Sequence, residues 1–169
     1  MRVSLPFSEL IRAAEEGNVR LEMIRGVAVW EASPVFLHQQ EIKRIVGSMK
    51  RLEGFDCACI DTQDTLFRFP DGSYKRPDVA LLCAMPDAVD ADEALTVIPA
   101  AVVEVLSKGY EYKDLVLSPP FYLENGVKDV LIYDPRTSIV LHHRPNWPAP
   151  QSLTSPVQLI LECGCEITV

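Results

Sequence analysis

At 169 residues, 48% hydrophobic and 24% charged, the chain is sized for one domain with a core of its own. A net charge of −8 and a pI near 4.9 exclude a broad basic surface that grips nucleic acid by charge alone. They leave room for a nuclease, because bound cations offset active-site acids. No apolar run approaches the length of a membrane span, and the first residues lack a signal peptide's long apolar core, so the expected location is the cytoplasm.

Residues 7–16 carry Phe7, Leu10, Ile11 and Ala14 on one helical stripe, which Gly17-Asn18 ends. Residues 19–24 and 27–31 flank Arg25-Gly26 as a hairpin. Ser33-Pro34 breaks the strand and caps the next helix, over 36–52, whose core stripe is Ile42, Ile45, Val46, Met49 and Leu52. Gly54 stops that helix. Strands are expected over 56–60 and 65–69, then a turn at Pro70-Asp71-Gly72-Ser73. An apolar strand follows over 78–83. The acidic stretch 85–96, with Asp87, Asp90, Asp92 and Glu93, reads as a solvated face.

Residues 100–106 are apolar on both faces except for Glu104, the pattern of a central, doubly covered strand. A lone ionised carboxylate there costs several kcal/mol unless it is paired or binds metal. Lys75-Arg76-Pro77-Asp78-Val79 sets a second acid at the mouth of the other apolar strand. Acids on neighbouring strands make an oxygen-rich site for a hard cation such as Mg²⁺. The bland alternatives are a buried salt bridge from Glu104 to Arg76 or Lys113, and a strand-entry role for Asp78.

Pro119-Pro120 predicts a break at Ser118, with a short helix over 119–124 capped by Ser118 and ended by Asn125-Gly126. Residues 130–133 and 138–142 form a hairpin about Asp134-Pro135-Arg136-Thr137. Residues 144–150 are a proline-rich loop in which Trp147 is a loop anchor, and 157–161 and 165–169 are strands. The fold class is α/β with a mixed sheet, parallel where the strands carrying Glu104 and Val130 form a crossover unit. The five cysteines are odd in number and lack a signal peptide, which favours free buried thiols over a disulfide framework. A thiolate zinc site would require the strands of Cys57-Ala58-Cys59 and Cys163-Gly164-Cys165 to meet. Each pair has one intervening residue, where zinc ribbons favour two to four.

Pro77-Asp78-Val79, Glu104-Val105-Leu106-Ser107, Asp114, Tyr122, Gly126-Val127 and Tyr133-Asp134-Pro135 stand in an order and spacing that resembles the PD-(D/E)xK nuclease superfamily. Within it they look like the Uma2 family of restriction-endonuclease-like proteins. Leu21-Glu22-Met23-Ile24-Arg25-Gly26, and Ser33-Pro34 followed by His38-Gln39, resemble that family's N-terminal half. The resemblance implies a restriction-endonuclease-like core with flanking helices and additional β-hairpins. It also implies Mg²⁺- or Mn²⁺-dependent hydrolysis of DNA phosphodiester bonds. Asp78 and Glu104 would be metal ligands, joined by the Val105 carbonyl, with Glu22 as an outer acid for a second metal or its water.

A lysine normally completes such a site. The superfamily's usual position for it is Leu106 here, and the Uma2 position is Ser118, so Lys108 or, in preference, Lys113 is left to supply the ammonium. The competing reading is a catalytically impaired relative, a homodimeric metal-binding or protein-interaction module. His38 alone reads as structural or exposed, Asp114 as a loop-positioning residue, and Tyr122 as a packing residue with its hydroxyl near the site. His142 and His143 point to opposite strand faces, so no shared metal is expected.

Overall fold

The computed structural model describes residues 6–31, 34–87, 93–109 and 111–169. The expected Ser33 cap and the acids Asp90 and Asp92 lie outside them. The elements run α1 (Phe7–Glu16), β1 (Arg20–Ile24), β2 (Val27–Glu31), α2 (Phe36–Gly47), β3 (Lys50–Arg51), β4 (Ile60–Thr62), β5 (Phe67–Arg68), β6 (Tyr74–Lys75), β7 (Val79–Leu82) and β8 (Ala101–Val105). A π-helical turn (Lys113–Leu117) then leads into α3 (Ser118–Glu124). β9 (Asp129–Asp134), β10 (Ile139–His143), β11 (Gln151–Thr154), β12 (Gln158–Ile160) and β13 (Cys165–Thr168) complete the chain.

The main sheet has the order β11-β10-β9-β8-β7-β4, and β8 and β9 pair in parallel as the crossover pattern requires. A second sheet, β2-β1-β6-β5, and a third, β12-β13-β3, flank it. The fold is therefore mixed α+β. Side chains alternate across β8. Ala101, Val103 and Val105 pack with Ile42 and Ile45 of α2 and with Ile167 of β13. Val102 packs on the other face with Phe121 and Tyr122 of α3 and with Phe67 and Phe69. Glu104 has the same parity as Val102 and faces α3. No helix among the described residues is long and apolar enough to cross a membrane.

The Arg25-Gly26 turn forms as expected, with φ of 50° and 80° and Ile24 opposite Val27, the two-residue geometry that suits strand twist. Several expectations are corrected. α2 stops at Gly47, and Lys50–Arg51 leaves to pair with β13. Only Ile11 of the α1 stripe is buried. Residues 56–59 are not a strand, and the one at Ile60–Thr62 pairs with β7. The proline-rich loop gives way to β11, which the reading missed. Four cysteines form the disulfides Cys57–Cys83 and Cys59–Cys165, leaving Cys163 as the free thiol.

Ser118 is not a break either. Its φ and ψ are helical, and the π turn runs directly into α3. Pro119 and Pro120 occupy the first turn of α3, where a missing amide costs least.

Candidate active site

The site forms where the β1–β2 hairpin, the β6–β7 connection, β8 and the π turn converge. Arg20, Glu22, Val29 and Glu31 share one face of the hairpin, because Arg20 lies opposite Glu31 and Glu22 opposite Val29. Lys113 enters from the π turn and bridges the two acids, its Nζ 2.7 Å from Glu31 Oε1 and 3.1 Å from Glu22 Oε2. π turns widen a helix locally and recur at functional sites. This one turns both Lys113 and Asp114 inward, their charged atoms 3.6 Å apart.

Lys75, from β6, is fully buried. Its ammonium donates to Ser118 Oγ at 2.7 Å and to Glu104 Oε1 at 3.4 Å, and lies 3.8 Å from Glu22 Oε2. It also sits over the Tyr122 ring, 4.6 Å from the centroid. Tyr122 donates its hydroxyl to Glu104 Oε1 at 2.7 Å. Glu104 Oε2 accepts the Asp78 amide at 3.2 Å. Asp78 Oδ2 in turn accepts the Val105 amide at 2.7 Å and meets His38 Nε2 at 3.0 Å. Glu22 Oε1 accepts the Arg76 amide at 2.7 Å.

Charges therefore alternate through the wall of the site: Glu31, Lys113, Glu22, Lys75, Glu104. Asp78 and Asp114 add negative charge at the open end, where a cleft of about 400 Å³ is lined by His38, Asp78, Glu104, Lys113 and Asp114. Lys75, Glu22, Ser118 and Tyr122 stand behind that lining. Lys108 and Arg136 reach the rim.

Burial, with Asp78 and Asp114 nearby, pushes the Glu104 carboxyl up to about 8, against the pull of Lys75. Burial likewise raises Asp114 to about 6, with Lys113 and Lys75 opposing. Burial and the Glu22 charge raise Glu31 to about 7. For Glu22, burial is outweighed by Lys75 and Lys113, and its carboxyl stays below the ordinary value. Burial would lower Lys113, but the surrounding carboxylates hold its ammonium well above the usual range. His38 is raised too, burial being outweighed by Asp78.

The expected residues Glu22, Asp78, Glu104, Val105 and Lys113 thus converge. Neither Arg76 nor Lys113 hydrogen-bonds Glu104, so the salt bridge weighed as the alternative forms instead with Lys75. Arg76 instead pairs with Glu15. His38, read as structural or exposed, is bonded to Asp78. Sequence reasoning missed Lys75 and Glu31. A signal for Lys75 was present, since it lies three residues before Asp78 and β6 must end beside β1 for the PD segment to enter the sheet. Glu31 was legible as the same-face diagonal neighbour of Glu22 once the turn was fixed.

The family model described as Putative restriction endonuclease, Uma2, matches residues 7–169. The chain belongs to the Uma2 family. The crystal structure of a putative nuclease belonging to DUF820 from Anabaena variabilis is 16% identical, with a TM-score of 0.63 over 83% of this chain and 80% of that one. At that identity the likeness shows the fold. No curated protein matches the chain. In this Uma2 chain Ser118, where the family resemblance implies a lysine, accepts a hydrogen bond from the Lys75 ammonium. The Lys75 ammonium, from β6, thus lies beside the position where the family pattern has its lysine.

Proposed function

We propose that this Uma2 protein is a metal-dependent endonuclease that hydrolyses phosphodiester bonds in DNA. The observation that carries the reading is the pairing of Asp78 and Glu104 at the mouth of β7 and β8, with one ammonium in the cleft wall and one behind it. Oxygen donors only, from carboxylates and the Val105 backbone, suit Mg²⁺ or Mn²⁺. The open end of the site is rich in acid, with Asp78, Glu104 and Asp114 lining the cleft together. Burial, with Asp78 and Asp114 nearby, holds Glu104 up near 8, and Asp114 Oδ1 is buried without a hydrogen-bond partner. Asp78 and Glu104 would hold the cation, with Glu22 as the outer acid. When bound, it polarises the phosphate and lowers the pKa of the attacking water.

The chain's own groups do the rest. His38 and the Val105 amide fix the Asp78 carboxylate. Tyr122 and Lys75 fix Glu104, so Lys75 is a positioning residue. Lys113 faces the cleft, where its ammonium offsets charge developing on the phosphate, an effect worth about 10²–10³ in rate for one preorganised donor. A second reading, a metal-binding or interaction module with impaired catalysis that assembles as a homodimer, is favoured by one observation. Lys113 is already engaged by Glu22 and Glu31.

The test is cleavage of supercoiled plasmid and of single-stranded DNA with Mg²⁺ or Mn²⁺, alongside Asp78→Ala and Glu104→Ala. Cleavage by the wild type and its loss in both variants is the expected result. Folded wild type with no cleavage above the variants would remove the enzymatic reading.

A further inference from the structure

All five cysteines gather on the other face of the main sheet from Glu104, against the α2 and β13 side of the core. The sulfurs of Cys57, Cys83 and Cys163 lie within 4.8 Å of one another, and so do those of Cys57, Cys59 and Cys165. Cys57 belongs to both groups, and its Sγ is 3.6 Å from that of Cys165 in the other disulfide. Two independent staples need only two close sulfur pairs. Cys57 thus has four other sulfurs within 4.8 Å, a density of thiols beyond what two separate staples require. Zn–S bonds of about 2.3 Å in a tetrahedron put ligand sulfurs roughly 3.8 Å apart, close to the Cys57–Cys165 separation.

Backbone contacts fix the three segments without help from the sulfurs. Ala58 donates its amide to Cys83 O at 2.9 Å, tying the residue-57 segment to the end of β7. The turn carrying Cys163 and Cys165 is closed by Gly164 N to Leu161 O at 2.9 Å and Leu161 N to Cys165 O at 2.8 Å. Gly164 has a φ of +85°, and a Cβ there would lie 1.9 Å from Phe55 Cγ. That turn therefore packs directly on the chain leading to Cys57. Both short Cys-x-Cys segments therefore converge with Cys83 through backbone contacts alone, although neither has the spacing of a zinc ribbon.

We infer that the reduced chain binds one Zn²⁺ through the close group Cys57, Cys83 and Cys163, with Cys165, 3.6 Å from Cys57, moving in as the fourth thiolate, at a site separate from the nuclease-like cleft. Thiolates select zinc over the hard cations suited to Asp78 and Glu104. The two disulfides are the oxidised form of the same cluster. Two molecules of a dithiol reductant deliver four electrons and four protons, break both S–S bonds and become cyclic disulfides. Zinc then displaces the four ligand thiol protons into solvent, and Cys59 is left as a thiol.

The experiment uses the full chain, reduced with dithiothreitol and desalted without oxygen, with Co²⁺ as the spectroscopic probe. The expected result is the intense absorption of a tetrahedral cobalt thiolate with its sulfur-to-metal charge-transfer band. It saturates at one equivalent and is bleached by one equivalent of Zn²⁺. Cys57→Ser and Cys163→Ser lose or weaken it, while Cys59→Ser keeps it. Three outcomes overturn the inference: a folded, reduced chain that gives no such bands, a reduced chain that stays unfolded when Zn²⁺ is added, or Cys59→Ser abolishing the bands as Cys57→Ser does. The cysteine variants also guard against misfolding, because Cys163 lies in a surface turn and its substitution spares the buried Cys57 and Cys165.

Discussion

Lys75 is buried with its ammonium between Glu22, Glu104 and Ser118, so its removal leaves two buried carboxylates short of a countercharge. Lys75→Met is expected to destabilise the fold by about 3–5 kcal/mol, read by urea denaturation. At matched folded fraction it should also slow cleavage and move the rise of activity with pH upward, because Glu104 loses the charge that opposes its neutralisation. A wild-type denaturation curve would contradict this. Asp129 is a second buried acid, remote from the cleft. It accepts His142 Nε2 at 2.7 Å, Arg144 Nε at 2.6 Å and the Glu162 amide at 2.7 Å. Burial alone would raise its carboxyl, yet these bonds hold it below the ordinary value. Its stabilisation is therefore full above an unfolded value of about 3.9 and lost as pH falls through the lower folded one. Asp129→Asn should cost about 2–3 kcal/mol at neutral pH and flatten the acid limb of the stability curve, measured by denaturation from pH 7 down to pH 3. The same contacts absorb His142 into structure. His142 also packs edge-on to Trp147, 4.9 Å between ring centroids, which makes Trp147 the loop anchor expected of it.

The β1–β2 hairpin carries Glu22 and Glu31 on one face, and its register depends on a two-residue turn with both φ values positive. Gly26→Ala forces a Cβ into that conformation and should cost about 1–2 kcal/mol, seen as a lowered thermal midpoint. An unchanged midpoint would mean that the turn does not set the register. Elements of this kind were the most legible in the sequence, since a two-residue turn, an apolar central strand and a parallel crossover each follow from local rules. Asp78 and Glu104 were legible for the same reason, being acids where strand pattern demands apolar residues. The continuous winding through Ser118-Pro119-Pro120 was not, because a π turn has no composition of its own and the prolines look like a stop. Lys75 was hidden by the same gap. Its partners Ser118 and Glu104 are 43 and 29 residues away, and only the packing of α3 on β8 brings them to its ammonium.

At the scale of the whole molecule, the two faces of one sheet carry two kinds of donor. Hard oxygens gather on the α3 side and soft sulfurs on the α2 and β13 side. The sulfur cluster ties the last strand to the middle of the chain, since Cys59 and Cys165 are 106 residues apart. A cross-link of that span contributes about 4–5 kcal/mol in the chain-entropy account. The reduced chain stripped of metal should unfold at a lower denaturant midpoint than the oxidised chain, and Zn²⁺ should restore much of the difference. Unchanged midpoints in all three states would argue against any structural part for the cluster. The free thiols expected from an odd cysteine count were a misreading with a physical source: pairing depends on which loops meet, and spacing within each Cys-x-Cys does not report it.

The measurement that tests the central claim most directly is Mn²⁺ binding, followed by the loss of the free aqua-ion's electron paramagnetic resonance signal. Wild type, Asp78→Ala and Glu104→Ala are compared with their folding checked by circular dichroism. The account predicts Mn²⁺ bound by the wild type and a sharp loss of affinity in both variants. Equal binding by all three folded proteins would contradict it and would place the metal, and with it the hydrolytic chemistry, away from Asp78 and Glu104.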